Sequence, residues 1–209
     1  MPVYDISRPL GIATEPWPGD TPFALAWGMR MAEGASCNVS AITLSPHVGT
    51  HADAPYHYSD AGAVMDAVAL EPYLGEALVV DVPDRTCVTA ADLVARVPAG
   101  TRRVLLRTRG RTRRDLHAFD RGFTCLDPDA VALLARLGCI LVGTDAPSVD
   151  PLTSQELPAH KACLRHGILI LENLELAHVP DGSYELIALP LRLEGADASP
   201  VRAVLRRPD

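Results

Sequence analysis

The chain has 209 residues, 48% of them apolar, enough for one large domain or two small ones with a sizeable core. Lys and Arg number 19 against 26 Asp and Glu, and the formal charge of −7 lacks the basic surface that a general nucleic-acid binder needs. No stretch approaches the run of about 20 apolar residues that a membrane helix requires.

The opening residues, MPVYDISRPLG, lack the basic start and apolar centre of a signal peptide, so the expected location is cytoplasmic. Cys37, Cys87, Cys125, Cys139 and Cys163 are odd in number, widely spaced and form no CxxC pair. They read as reduced packing residues, and any metal here is expected on nitrogen and oxygen ligands.

In chain order, Val3 to Ile6 is a short strand, followed by the turn-rich loop Pro16-Trp17-Pro18-Gly19-Asp20-Thr21-Pro22. Trp17 has two readings there, an anchor packed on the core or an aromatic wall for a planar substrate. Phe23 to Trp27 and Val39 to Leu44 read as strands, the second feeding the stretch that dominates the chain. The apolar run Ala77 to Val82 is a buried strand, and Thr89-Ala90-Ala91-Asp92 starts a helix with a capping-box pattern. Val104 to Leu106 is a further strand. Asp127-Pro128 opens a helix that runs through Leu137 and stops at Gly138. Strands follow over Cys139 to Val142, Gly167 to Leu171, Glu185 to Leu189 and Val201 to Leu205. This order gives a mixed α/β fold with parallel pairing around 77–171 and no clear domain boundary.

Pro46 to His57 carries the chemistry. It holds His47, His51, Asp53 and His57, all at odd positions, so one extended ribbon aims four ligand-type side chains at one side. Pro46, Gly49 and Pro55 disfavour a helix. Same-side Cα atoms on a strand lie about 6.6 Å apart, so convergence on a metal requires a bend, which Gly49 permits. Glu172 directly follows a buried strand, a place where carboxylates face the ligand crevice of open sheets and need a partner such as a metal. Asp145 is in the equivalent place after 139–142, with capping of turn amides as the alternative. His160, on a short helix after Pro158, has no more standing on its own than His166 or His178, and His117 is a polar-loop residue. Seven arginines, Arg102, Arg103, Arg107, Arg109, Arg111, Arg113 and Arg114, fall within one segment. They fit either a solvated loop or subunit-contact rim, or a guide for an anionic substrate. The chain has no G-x-S-x-G, no Walker or Rossmann glycine pattern and no H-E-x-x-H.

The segment His47-Val48-Gly49-Thr50-His51-Ala52-Asp53-Ala54-Pro55-Tyr56-His57 resembles the H-x-G-T-H-x-D-x-P-x-H signature of the cyclase-like metal-dependent hydrolases. The Trp17 loop, 145–151, Ala159-His160, Ile170-Leu171-Glu172, 184–191 and 198–203 extend the likeness over almost the whole chain, and make it similar to the bacterial kynurenine formamidases (arylformamidases). The resemblance implies one swivelling β/β/α domain over 1–209 with a mixed sheet. It also implies a homodimer and two divalent metal ions per subunit, usually Zn2+, with Mn2+ the alternative. Carried over by motif, His47 and His51 hold one metal, His160 holds the other, Asp53 and Glu172 bridge them, His57 transfers protons and Trp17 contacts substrate. The implied reaction is hydrolysis of N-formyl-L-kynurenine. A hydrolase of isatin or a related cyclic amide, and a non-catalytic metal-binding protein, are the alternatives. Two positions depart from the pattern: Ala146 stands where threonine is common, and Asn173 where glycine is common.

Overall fold

A computed structural model describes residues 2–110 and 115–207. Among these, nine strands form one mixed sheet. Its members are β1 (Val3–Asp5), β4 (His51–Asp53), β5 (Leu74–Asp81), β7 (Arg103–Arg107), β9 (Leu141–Thr144), β10 (Leu169–Glu172), β11 (Gly182–Ile187), β12 (Ala198–Pro200) and β13 (Val204–Arg206). The spatial order is β1-β13-β11-β5-β7-β9-β10-β4-β12. β5, β7, β9 and β10 run parallel, and the flanking strands pair antiparallel. A separate hairpin joins β2 (Ala24–Met29) to β3 (Val39–Thr43), and a short parallel pair joins β6 (Cys87–Val88) to β8 (Cys125–Leu126).

Three helices, α1 (Ala90–Leu93), α2 (Pro128–Leu137) and α3 (Pro158–His166), lie in the connections of the parallel strands. Their ends follow local chemistry. Thr89 and Asp92 complete the capping box of α1, and the Asp127 side chain accepts from the Asp129 amide at the start of α2. At the ends of α2 and α3, Gly138 (φ 97°) and Gly167 (φ 66°) are left-handed. Each turns the next amide back onto the helix: Cys139 N–H bonds the Leu134 carbonyl at 3.0 Å and Ile168 N–H bonds that of Cys163 at 2.9 Å. These caps consume the residues that apolar runs assign to strand starts, so β9 and β10 begin two residues later than the runs suggest.

Side chains alternate across the central strands. Val104, Leu106, Val142 and Ile170 pack with Val131, Leu134, Ala162 and Cys163 on the helix side. Leu105, Leu141 and Leu171 join Tyr73, Tyr184, Leu186 and Leu205 on the other. That second core draws on strands from both halves of the sheet, because the sheet curls. A flat sheet would set β13 and β12 about 34 Å apart. Only residues 201–203 join them, a link whose reach is about 15 Å. Closure places Ile6, Thr50, Val201 and Ala203 in hydrogen-bonding contact, with Ile6 N–H to the Ala203 carbonyl at 3.0 Å and Val201 N–H to that of Thr50 at 3.0 Å.

The arginine segment departs from both sequence readings. Arg103 is buried, its Nε donating to the Pro72 carbonyl at 2.7 Å, and Arg107 is fully buried between Asp81 and Asp181. Both belong to β7, where burial on both faces demands a partner for every guanidinium. Arg111, Arg113 and Arg114 lie outside the described residues.

Gly62 ties the fold to the chemistry. A Cβ there would stand 2.3 Å from the Pro55 carbonyl carbon and 2.4 Å from its oxygen, in the turn that carries His57. Gly62→Ala is expected to cost about 1–3 kcal/mol through overpacking and to lower the melting temperature by roughly 5 °C. An unchanged thermal transition would refute the tight contact.

Candidate metal centre

The histidine ribbon is built in three pieces rather than as one continuous strand. Residues 45–50 form a turn, bent at Gly49 (φ 73°), that carries His47. β4 carries His51 and Asp53, and the 3-10 turn Pro55–Tyr58 carries His57. His51 and Asp53 share a face of β4, and Glu172 on β10 stands directly opposite His51, so all three carry their side chains to that face. α3 covers it and contributes His160 from its first turn. The structure thus brings together His47, His51, Asp53, His57, His160 and Glu172.

The contacts are consistent with space for cations. His47 Nδ1 lies 3.2 Å from Asp53 Oδ1, and His51 Nε2 lies 3.3 Å from Asp53 Oδ1 and 3.4 Å from Glu172 Oε2. His160 Nε2 lies 3.5 Å from Asp53 Oδ2 and 3.7 Å from Glu172 Oε1. Two atoms each about 2.1 Å from one tetrahedral ion stand about 3.4 Å apart, so this spacing matches shared coordination better than direct hydrogen bonding. His51 Nε2, both Asp53 oxygens and His160 Nε2 are buried and have no hydrogen-bond partner. Buried polar atoms left unpaired are expensive, and here they converge. The donor set fits divalent metal. His47, Asp53 and His57 offer ligand atoms within 4.8 Å of one another, as do His51, Asp53 and Glu172.

Each histidine is held from behind at its other nitrogen. His51 Nδ1 is 2.9 Å from the Gly49 carbonyl, which only accepts, so Nδ1 keeps its proton and Nε2 is the nitrogen that can turn a lone pair to the cluster on losing its own. His160 Nδ1 is 2.7 Å from Asp150 Oδ2, and His47 Nε2 is 3.0 Å from Asp197 Oδ2. Asp150 also receives the Ala159 and His160 amides at 2.9 and 3.0 Å, capping α3 from outside. Leu157 at the N-cap position has no acceptor to do so, and it sits in a left-handed conformation (φ 48°). Glu172 Oε1 is fixed by the Val149 amide at 2.8 Å.

Asp150 and Asp197 are absent from the sequence-derived ligand set. A carboxylate ahead of a proline-led helix without its own cap was a usable signal for Asp150. Asp197 carried none, because its role comes from β12 pairing beside β4. Asp145 takes the structural reading: its carboxylate accepts from the Thr108 amide and hydroxyl and the Arg109 amide. Of the remaining histidines, His117 bonds Thr14 Oγ1 at 2.9 Å, and His166 and His178 are exposed or half exposed, away from the cluster.

The site opens into a cavity of about 380 Å³ lined by Arg8, Trp17, His57, Phe119, Leu157 and Asn173 among others. The Trp17 ring packs edge-on against Phe119 at 5.5 Å and lines this cavity. His57 lies at the rim with its ring 4.1 Å from that of His47 and Nδ1 3.6 Å from Asp197 Oδ2.

Without metal, protons compensate the carboxylates. Burial opposes charging His51, but the carboxylates of Asp53 and Glu172 facing its Nε2 raise its pKa to about 10. Burial is likewise outweighed at His47, raised to about 9 by Asp197 and Asp53, and at His160, raised to about 10 by Asp150 and Asp53. Burial pushes the Asp53 carboxyl up, yet His160, His47 and His51 hold it well below the usual range. His57 moves the other way: burial lowers its pKa, with His47 and His160 adding to that effect and Asp53 opposing it. The raised histidines must lose protons to bind metal. Metal uptake is therefore expected to release protons, and apparent affinity to rise from about pH 6 to about pH 9. Calorimetry in buffers of different ionisation enthalpy measures this; affinity independent of pH would contradict it.

Comparison with known proteins agrees with this geometry. The Cyclase family model matches residues 4–151. A protein named kynurenine formamidase from Polaromonas naphthalenivorans (strain CJ2) is 48% identical over 98% of this chain and 90% of its own. Another of that name, from Paracidovorax citrulli (strain AAC00-1), is 44% identical over 99% and 97%. Among solved structures, one described as a potential metal-dependent hydrolase with cyclase activity aligns with a TM-score of 0.83 at 29% identity, covering 99% of both chains. Isatin hydrolase A from Labrenzia aggregata aligns at 0.82 over 98% of this chain and 93% of its own, but at 22% identity, a likeness of fold alone. The chain belongs to the Cyclase family, alongside the kynurenine formamidases.

Proposed function

We propose that the protein is a metal-dependent arylformamidase, an amidohydrolase that converts N-formyl-L-kynurenine to L-kynurenine and formate in tryptophan degradation by the kynurenine pathway. The observation that carries this reading is identity of 48% and 44% to kynurenine formamidases over nearly the full chain. Hydrolysis of a cyclic amide such as isatin is not favoured, since the isatin hydrolase likeness is one of fold.

His47, His51 and Asp53 would hold one divalent ion and His160 a second, with Asp53 and Glu172 bridging; Zn2+ is the first choice and Mn2+ the second. When bound, such ions act as Lewis acids and lower the pKa of water toward neutrality. The chain's own residues supply the rest. Trp17 and Phe119 offer an aromatic wall against the substrate ring. His57, its pKa lowered mainly by burial, is neutral near pH 7 and open to the cavity. It is suited to accept the proton of the attacking water and deliver it to the leaving aryl amine nitrogen. Asp197 Oδ2, bonded to His47 Nε2, lies 3.6 Å from His57 Nδ1.

We extend the proposal to the assembly. The β2–β3 hairpin bares Leu25, Trp27, Met29 and Ile42, an apolar surface suited to a second copy of the chain, and supports a homodimer. The second core packs Ile6 and Ala52 with Ala203 and Leu205, residues from both ends of the chain, which supports a single cyclase-like domain over 1–209. No helix of the described residues is long and apolar enough to cross a membrane. The five cysteines are free, which fits a reducing cytoplasm.

Loaded with Zn2+ or Mn2+, the protein is expected to hydrolyse N-formyl-L-kynurenine with a kcat/KM at least about a hundredfold above that for isatin. The reverse preference would replace this reading with the cyclic-amide one. His57→Ala is expected to retain both metals by elemental analysis and to lose about 10²–10⁴-fold in kcat. Metal loss in that variant would make His57 a ligand.

A further inference from the structure

Asn173 directly follows Glu172 at the end of β10. Its backbone is left-handed (φ 56°), a conformation that glycine takes freely and asparagine tolerates better than other side chains. The side chain therefore occupies space that glycine would leave empty. It is buried, and it lines the same cavity as Trp17, His57, His160 and Glu172.

Its orientation is fixed by chemistry. Asn173 Oδ1 lies 2.7 Å from Arg8 Nη1. A guanidinium has donors only, so the amide atom facing it must be the oxygen. Arg8 is itself braced, with Nε donating to the Leu116 carbonyl at 3.0 Å and Nη2 to that of Ala118 at 2.8 Å. The Asn173 carbonyl accepts from Thr50 Oγ1 at 2.6 Å, and that hydroxyl oxygen accepts from the Arg8 amide at 2.8 Å. Backbone and side chain are both clamped. The NH2 group has no hydrogen-bond partner among the described residues, which leaves its two donors for the cavity.

From this geometry we infer that Asn173 is a specificity-determining residue whose side-chain NH2, aimed by Arg8, donates a hydrogen bond to the ketone oxygen of the aryl substrate. A neutral, preorganised donor suits a carbonyl acceptor. In N-formyl-L-kynurenine the ketone sits on the ring carbon next to the formamide, so it lies beside the metal ligands when the formamide faces them. The inference rests on the arylformamidase reading and names a further contact of that site.

The test compares N-formyl-L-kynurenine with formanilide, which lacks the ketone, in Asn173→Gly and Asn173→Asp. Glycine keeps the backbone conformation. Aspartate keeps the shape and the Arg8 contact but presents no donors. Both variants are expected to keep wild-type metal content and to lose about tenfold in kcat/KM for N-formyl-L-kynurenine, mostly in KM, with formanilide turnover unchanged. Calorimetric binding of L-kynurenine, which retains the ketone, is expected to weaken by the same factor and does not depend on formanilide being turned over. Equal losses on both substrates would mean that Asn173 only supports Glu172. Unchanged kynurenine binding together with unchanged turnover of N-formyl-L-kynurenine would remove Asn173 from recognition. Either result overturns this inference alone, whereas failure of the unsubstituted protein on N-formyl-L-kynurenine overturns the arylformamidase reading and this one with it.

Discussion

Asp53 is fully buried, and neither of its carboxylate oxygens has a hydrogen-bond partner. A carboxylate withdrawn from water costs several kcal/mol unless opposite charge meets it. Here Asp53 shares its pocket with Glu172 and three histidine nitrogens, so the compensation is either protons on the histidines or cations between them. The outer contacts decide which nitrogens face inward. Gly49, Asp150 and Asp197 each hold one histidine at its far nitrogen, and each near nitrogen is thereby turned to the cluster.

The sheet exists in the form needed to keep that arrangement rigid. Antiparallel pairing of β4 with β10 sets Glu172 across from His51. The parallel strands behind them are buried on both faces, so the frame cannot shift without disturbing two cores. Curling of the sheet brings residues 201–203 and Ile6 beside Thr50, fixing the turn before β4. Two non-glycine residues in left-handed backbone, Leu157 and Asn173, border the cavity. Both are held by surrounding packing and hydrogen bonds, and such local strain is commonly concentrated where function needs a particular side chain.

Features set by neighbours in sequence were legible. The capping box at Thr89, the Asp127-Pro128 start, the Gly138 stop and the bend at Gly49 depend on few residues, and the structure shows all of them. The four side chains at odd-numbered positions do come together, although by a turn, a short strand and a 3-10 turn rather than one ribbon. Features set by distant pairing were not legible. Asp197 reaches His47 and His57 only because β12 lies beside β4. Arg103 and Arg107 look solvent-seeking in sequence, but their strand is central and their partners come from 71–81 and 179–181. His160 gained its place from the family resemblance alone, whereas Glu172 was marked by its position directly after a buried strand.

In the proposed function this buried cluster would hold two metal ions that the reaction requires. Titrating metal-stripped protein with Zn2+ while following both bound metal per chain and turnover of N-formyl-L-kynurenine tests it most directly. Activity is expected to reach its maximum at two ions per chain and to be abolished on stripping. Full activity in metal-free protein, or saturation at a single ion with no second site filled, would contradict it.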